Sequence, residues 1–204
     1  MASGKRYNLL CGRTGDDRAE AMDNLKGQLL VASPHLLDQN FVRTVVLLIH
    51  HSEEGAFGVV LNRPADNTIR ELWEQVGETD CESDRRVNVG GPVAGPLMAI
   101  HTDRDLAELE ILPGVYFAAQ RDHLEKLLGQ TERPYRVFVG HSGWGGGQLE
   151  HELEEGAWLT TPATVDRVFD DDDDLWKKVA QHIGESMLAS TLRIKHVPQD
   201  PTMN

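Results

Sequence analysis

The chain has 204 residues, with 33 Asp and Glu against 20 Lys and Arg, and a formal net charge of −13 at pH 7. This length fits one domain that needs no disulfide or metal to fold, because a chain of this size buries roughly 70% of its unfolded surface. The acidity argues against general nucleic-acid binding and against docking on anionic lipid, since both depend on clustered Lys and Arg.

The number of cysteines and the composition of the first residues indicate the cellular compartment. The two cysteines, Cys11 and Cys81, exclude a disulfide scaffold and a four-cysteine zinc site. Residues 1–8 are polar, so they lack the apolar core of a signal peptide. The longest apolar run, Val45 to Ile49, is far shorter than the ~18 residues of a membrane span. We therefore predict a cytoplasmic protein without membrane contact.

Composition divides the chain into three parts. Residues 1–24 carry Gly, Arg, Asp and Glu without a period, which predicts a disordered N-terminal extension. Residues 189–204 are predicted to form a C-terminal tail. Residues 25–188 lie between them without an internal repeat or a long linker, and are predicted to form a single domain.

The first half of this domain is predicted to consist mainly of strands. Aliphatic and β-branched runs predict strands at Gln28 to Ala32, Thr44 to His50, Ala56 to Leu61 and Val87 to Val89. The turn at residues 52–55 joins two of them into a hairpin. Thr68 and Glu71 have the spacing of a capping box, which predicts a helix that continues to Gly77.

The second half mixes strands with helices. Further strands are predicted at Leu97 to His101, Val115 to Ala118, Tyr135 to Val139 and Trp158 to Thr160. Helices are predicted at Arg121 to Leu128, Gln148 to Glu155, Ala163 to Phe169 and Asp173 to Ile183, the last one ended by Gly184. The glycine-rich segment from Gly140 to Gly147 is predicted to be a loop. Without strict βαβ alternation, this order favours an α+β domain with a mixed sheet.

Several separated segments carry distinctive patterns. They are residues 27–34 (GQLLVASP), 41–45 (FVRTV), 55–64 (GAFGVVLNRP), 90–93 (GGPV), and 143–153 (GWGGGQLEHEL) with Trp158, followed by Leu175-Trp176 in the last helix. In this order they resemble the YqgE/AlgH family of small bacterial proteins, over about Leu25 to Leu188. The resemblance implies a bent, mixed sheet that closes into a barrel-like core with helices packed outside.

The same resemblance has functional implications. Some members are labelled transcriptional regulators of exopolysaccharide synthesis, and the family implies no agreed catalytic residue. Members usually place Tyr-Ala or a similar pair where His141 and Ser142 stand here. Any role of these two residues would therefore belong to this protein alone.

The glycine-rich loop is one candidate site. N–H groups at a helix start, with glycines that allow close approach, can bind a phosphate or a carboxylate. The segment lacks the Lys-Ser/Thr of a Walker A loop and the spacing of a dinucleotide-binding loop. The alternative is a tight turn that needs positive φ and lets Trp144 pack under the sheet.

Arg63 is the second candidate, since an Arg beside a proline turn can clamp a carboxylate or phosphate. The alternative is a structural ion pair, for example with Glu152. If Arg63, the Gly90-Gly91 turn and the glycine-rich loop converge, they form an anion pocket. Its predicted binding residues are Asn62, Arg63, Gly90, Gly91, Gly143, Trp144, Gly145, Gln148 and Glu152.

Other chemistry has weaker support in the sequence. Ser142 beside His141 suggests a hydrolase, but Trp144 occupies the last glycine position of a Gly-x-Ser-x-Gly elbow. Histidines at predicted strand ends lack metal-site spacing; they are His50, His51, His101 and His141, with His151 on a helix. The acidic run from Asp170 to Asp174 lacks the EF-hand pattern and fits a helix start better. We predict no catalytic residue, no metal and no cofactor.

Together these observations predict a cytoplasmic regulatory or interaction protein. It would act through a protein partner or a small anionic effector, without direct nucleic-acid or membrane contact, because neither a helix-turn-helix nor a basic stripe is evident. The alternative is a small-anion or nucleotide-binding domain with weak hydrolase activity.

Overall fold

The computed structural model describes residues 24–76, 81, 83–129, 133–171 and 174–191. The predicted N-terminal extension therefore lies outside the described residues, apart from Asn24, as do residues 192–204 of the predicted tail. Gly77 and residues 172–173 are also outside them. Among the described helices, none has both the length and the apolar character that a membrane span requires.

Strands and helices alternate irregularly along the described residues. The strands are β1 (Gln28–Ala32), β2 (Val45–Ser52), β3 (Gly55–Val60), β4 (Pro64–Thr68), β5 (Arg86–Val89), β6 (Val93–His101), β7 (Leu109–Leu112), β8 (Val115–Ala118), β9 (Tyr135–Gly145) and β10 (Trp158–Pro162). The helices are α1 (Ile69–Val76), α2 (Arg121–Leu128), α3 (Gln148–Glu154), α4 (Val165–Val168) and α5 (Leu175–Thr191). A 3-10 turn, Arg104–Leu106, precedes β7.

The strands form one strongly curled sheet in the order β10-β1-β2-β3-β9-β6-β8-β7, with β4 and β5 on a side branch. Its curl brings the edge strand β7 against β2, and the sheet forms a half-barrel with helices alongside. This confirms the predicted α+β class and the mixed, bent sheet. All strand pairs are antiparallel except β5 with β9, which is the pair that makes the sheet mixed.

The sheet forks at β9. On one edge, the carboxyl-terminal half of β9 pairs with β3, from Gly58↔Ser142 to Gly55↔Gly145. On the same edge its amino-terminal half pairs with β5, where Asn88 lies opposite Phe138. Gly90 lies at the junction: it donates to Val139 O at 2.9 Å and accepts from Val60 N at 2.8 Å. Here β3 diverges from β9 and β5 takes its place.

Apolar side chains on both faces of the sheet form the core. Inside the half-barrel, residues such as Leu47, Phe138 and Val179 bring α4 and α5 onto the sheet. A second cluster packs α1 and α2 against β5, β6 and β9, and a third packs α3 beside β1, β2 and β3. The runs in β1 and β2 are continuous because both faces of these strands are buried.

Local signals predicted most elements well. The predicted bounds of β1, β8 and α2 are confirmed, and the β2–β3 hairpin forms as expected. The capping box is confirmed in both directions: Thr68 N donates to Glu71 Oε2 at 2.8 Å, and Glu71 N donates to Thr68 Oγ1 at 3.2 Å. Strands β4 and β7 were not predicted; β4 (PADNT) is polar and starts with proline, and each has only five or four residues.

The prediction that Gly184 ends the last helix is wrong. Helix α5 runs through Gly184 to Thr191. Leu175, Val179 and Ile183 bury one face of its first half, and a single Gly costs only about 1 kcal/mol relative to Ala, which is too little to end a helix anchored in this way.

Replacing Gly184 by Ala should therefore stabilise the protein by about 0.5–1 kcal/mol, because Gly184 is helical and exposed and an added Cβ meets nothing within 4 Å. Urea unfolding followed by circular dichroism measures the change. Gly147→Ala is the matched control, since its Cβ is equally unobstructed but its φ is +74°. That variant should lose about 1–2 kcal/mol. Equal effects at the two positions would contradict this account.

Candidate functional site

The glycine-rich segment is mostly strand, so the predicted loop from Gly140 to Gly147 is wrong. Strand β9 continues to Gly145 and pairs with β3 through Gly143, Trp144 and Gly145. Only the two residues before α3 form a turn, in which Gly147 has φ +74°. The pairing with β3 involves the same backbone segment that the sequence suggested as a binding site for an anion.

Glu152 joins helix α3 to the sheet. Its Oε2 accepts hydrogen bonds from Trp144 Nε1 at 2.9 Å and Trp158 Nε1 at 2.8 Å, and its Oε1 accepts from Gln148 Nε2 at 2.9 Å. Gln148 Oε1 in turn accepts from Gly145 N at 3.1 Å. The structure thus brings Trp144, Gly145, Gln148 and Glu152 together as a brace between α3, β9 and β10.

Aromatic packing completes this brace. The ring of Phe41 stacks at 6.0 Å on Trp144 and meets Trp158 edge-on at 5.3 Å. Both tryptophans are buried. The spacing of the Gly-Trp-Gly and Gln-Leu-Glu-His-Glu motifs therefore has a structural explanation. It places the N–H donors of Trp144 and Gly145 against the side-chain oxygens of Glu152 and Gln148.

Gly90 and Gly91 follow β5, where the chain passes across β9 to reach β6. A Cβ on Gly90 would lie 2.3 Å from Gly140 O, and one on Gly91 would lie 2.3 Å from the carbonyl carbon of His141. Side chains cannot be accommodated at these distances, so the glycines allow close backbone approach. Ser142 is fully buried beside them and donates from Oγ to Gly90 O at 3.1 Å. Its burial argues against a nucleophilic role.

Asn62 and Arg63 hold the loop before β2. Asn62 Oδ1 accepts from Val45 N at 2.9 Å and its Nδ2 donates to Arg43 O at 2.8 Å. Arg63 donates to Gln39 O at 3.2 Å and to Val42 O at 3.5 Å. The alternative of an ion pair between Arg63 and Glu152 is wrong, because Arg63 binds backbone carbonyls. Asn62 also holds Arg43, whose φ is +54°.

A cleft of about 470 Å³ lies at the fork of the sheet, a size typical of small-molecule sites. Of the nine predicted site residues, only Asn62 lines it. Its charged lining residues are Arg85, Arg86, Arg136, Asp170 and Asp171. Its other lining residues are Leu61, Asn62, Pro64, Ile69, Asn88, Tyr135 and Val137.

Arg136 on β9 is the buried cation of this cleft, with 8% of its surface exposed. Its Nη2 donates to Leu61 O at 2.5 Å and to Asn88 Oδ1 at 2.8 Å. Its Nη1 donates to Val168 O at 3.1 Å and to Asp170 O at 3.2 Å. Within the described residues its Nε has no partner, so four of its five N–H groups are engaged, all with uncharged oxygens.

The charge of Arg136 is only loosely balanced. Among the described residues its paired carboxylate is that of Asp171, 3.6 Å away on a side chain that is 85% exposed. Burial lowers the pKa of Arg136, while the carboxylates of Asp171 and Asp170 raise it. Because an Arg stays protonated even so, the floor of the cleft carries a positive charge.

Two further arginines line the same cleft. Arg85 donates to Tyr135 O at 3.3 Å and lies 5.0 Å above the Tyr135 ring, while Arg86 is exposed at the start of β5. Sequence reasoning missed all three arginines. The available signal was Arg136 itself, a charge inside the predicted strand from Tyr135 to Val139, where burial requires partners.

The histidines are dispersed, and no group of three potential metal ligands occurs among the described residues. His51 accepts from Leu25 N at 3.1 Å through Nδ1 and contacts Glu150 at 2.8 Å through Nε2. His101 is buried in contact with Tyr116, and His141 packs against Phe57. Each has a local environment of its own, consistent with independent structural roles.

Removing the carboxylate of Glu152 should destabilise the protein. Glu152→Ala leaves two buried indole N–H groups without an acceptor, so we expect a loss of about 2–4 kcal/mol in urea unfolding. Glu152→Gln, which keeps an acceptor oxygen, should restore part of this loss. Glu154→Ala, on the exposed face of the same helix, should change stability by less than about 0.5 kcal/mol. Similar losses for both Ala variants would refute the brace.

Comparison with known proteins gives a consistent result. The AlgH-like family model matches residues 29–188. A UPF0301 protein of Xanthomonas campestris pv. campestris (strain B100) is 41% identical over 175 residues, covering 82% of this chain and 93% of that protein. A UPF0301 protein of Chlorobaculum tepidum is 34% identical over 185 residues, covering 87% and 95%.

Solved structures agree with the sequence relatives. The solution structure of the AlgH protein from Pseudomonas aeruginosa matches with a TM-score of 0.67 and 28% identity, over 88% of this chain and 98% of that one. A crystal structure of a Corynebacterium diphtheriae protein shares the fold, with a TM-score of 0.63 and 24% identity over 80% and 91% of the two chains. The resemblance drawn from the motifs is therefore confirmed, and the chain belongs to the AlgH-like family of UPF0301 proteins.

Proposed function

We propose that this protein is a cytoplasmic regulatory protein that binds a small anionic effector in the cleft and acts through a protein partner rather than by contacting DNA. The observation that carries the proposal is the buried guanidinium of Arg136 on the floor of the cleft. A buried cation is costly to the fold when the carboxylate paired with it among the described residues lies 3.6 Å away on an exposed side chain. An anion that reaches the cleft would offset this cost.

The shape of the cleft supports a small ligand. It has an apolar wall of Leu61, Pro64, Ile69 and Val137 beside the arginines. Binding sites for small molecules typically combine such apolar surface with a few polar groups that fix orientation. Arg86 is exposed and can turn toward a ligand, while Arg136 is fixed by its four hydrogen bonds.

The charge of the chain supports action without direct DNA contact. With a net charge of −13, the protein as a whole repels phosphate backbones, and affinity for DNA depends on neutralising many phosphates. Three arginines in one cleft suit a single small anion instead. A regulatory effect would follow if the partner protein binds the effector-bound form with a different affinity from the free form.

A thermal-shift screen tests the effector. We expect at least one compound among inorganic phosphate, acetyl phosphate, AMP, ATP and citrate to raise the melting temperature, since a ligand at 100 times its Kd adds about 2.7 kcal/mol of stability. Arg86→Gln should reduce the shift, because it removes one of the three cations from the cleft without breaking a described side-chain hydrogen bond. Arg104→Gln, exposed on the 3-10 turn, is the matched control and should keep it. No shift with any compound, or an equal loss in both variants, would refute the effector site.

A gel-shift assay with the pure protein tests the absence of direct DNA contact. At physiological salt we expect no sequence-specific complex at micromolar protein, because the net charge of −13 opposes it. A tight complex with one sequence that survives excess non-specific DNA would contradict the proposed mode of action and leave the effector site to be judged by the thermal-shift result.

A further inference from the structure

The cleft carries negative as well as positive charge. Asp170 and Asp171 line it together with Arg85, Arg86 and Arg136. Arg136 itself holds the acidic segment there, since its Nη1 donates to Asp170 O at 3.2 Å and its Nη2 lies 3.6 Å from Asp171 Oδ1. The two signs are therefore part of one built arrangement on the same wall.

This arrangement affects which anions fit. A ligand with only negative charge is attracted by the arginines and repelled by the carboxylates of Asp171 and of Asp170, the latter 4.0 Å from Lys178 Nζ. A ligand that also carries a cationic group turns that repulsion into attraction. Asp171 is 85% exposed, so its carboxylate can turn from Arg136 toward such a group once the anionic group of the ligand has taken its place beside Arg136.

We propose that the effector is zwitterionic, with a carboxylate or phosphate that pairs with the arginines and an ammonium group that pairs with Asp170 and Asp171. This inference rests on the proposed function, because it assigns the chemical class of ligand to the same cleft. The cleft volume of about 470 Å³ has room for a molecule of the size of an amino acid or a small phosphorylated amine.

Matched ligand pairs test the ammonium group. Isothermal titration calorimetry with the full chain compares phosphoethanolamine with ethyl phosphate, and β-alanine with propionate. Each pair shares its anionic group and differs in the ammonium. We expect the zwitterion to bind about tenfold more tightly than its partner in at least one pair, which corresponds to about 1.4 kcal/mol.

Variants assign this difference to the acidic residues. In the double variant Asp170→Asn/Asp171→Asn the tenfold preference should disappear, while the simple anion binds as well as before or better. Arg86→Gln should weaken both members of a pair. Glu110→Gln, exposed on β7 away from the cleft lining, is the control and should change neither. Urea unfolding of each variant checks that the fold is retained.

The outcomes separate the two proposals. If both members of every pair bind equally, or if the preference survives in the double Asn variant, the zwitterionic ligand is refuted and the anion site stands. If no member of any pair binds and the thermal-shift screen is also negative, the effector site itself is refuted and the zwitterionic ligand with it. A preference in wild type that is lost in the double Asn variant supports both.

Discussion

The guanidinium of Arg136 holds the sheet together at the point where it forks. Its donors lie in one rigid plane, and four of them bind oxygens of Leu61, Asn88, Val168 and Asp170. These oxygens belong to the end of β3, to β5 and to the end of α4 with the segment after it. One planar group therefore fixes three parts of the chain against β9, a task that the single ammonium of a Lys cannot perform.

The same geometry creates the cleft and its charge. Where β3 diverges from β9, a gap opens between the strands, and Arg136 lines its floor. Its hydrogen bonds to uncharged oxygens fix the guanidinium in place but do not neutralise its charge. Only the exposed carboxylate of Asp171, among the described residues, is paired with it. The net charge of the whole chain says little about the charge inside the cleft. A small ligand responds mainly to the charged residues that line the cleft. Arg136 therefore both fixes the fork of the sheet and lines the candidate binding site.

Sequence reasoning succeeded for features that depend on neighbouring residues. The buried runs of β1 and β2, the hairpin that joins β2 to β3 and the capping box at Thr68 each rest on residues close in the chain, and all are confirmed. The motifs with Trp144, Gln148 and Glu152 were recognised as a group, and they do meet. Their interpretation as a binding loop did not anticipate that β9 pairs with β3 through the glycines.

The cleft could not be predicted in the same way. Its lining comes from the end of β3, from the first residues of β4 and α1, from β5, from β9 and from the segment after α4. Its central hydrogen bond joins Arg136 to a carbonyl 75 residues away. Arg63, which looked more informative in the sequence, binds carbonyls of the loop before β2, 21 and 24 residues away. A guanidinium can satisfy its donors on the carbonyls of an exposed loop or on oxygens inside a cleft. The residue type alone does not reveal which of the two environments an Arg occupies.

Periodicity, capping and motif order thus determined by themselves most of the element types, the α+β class and the family. Only the tertiary structure decided that the glycine-rich segment is a strand, that Gly184 lies within a helix and that Arg136 rather than Arg63 lies in the cleft. The physical reason is that local patterns record the conformational preferences of adjacent residues. The register of β9 with β3, β5 and β6 depends instead on contacts between distant segments, which form only when the chain has folded.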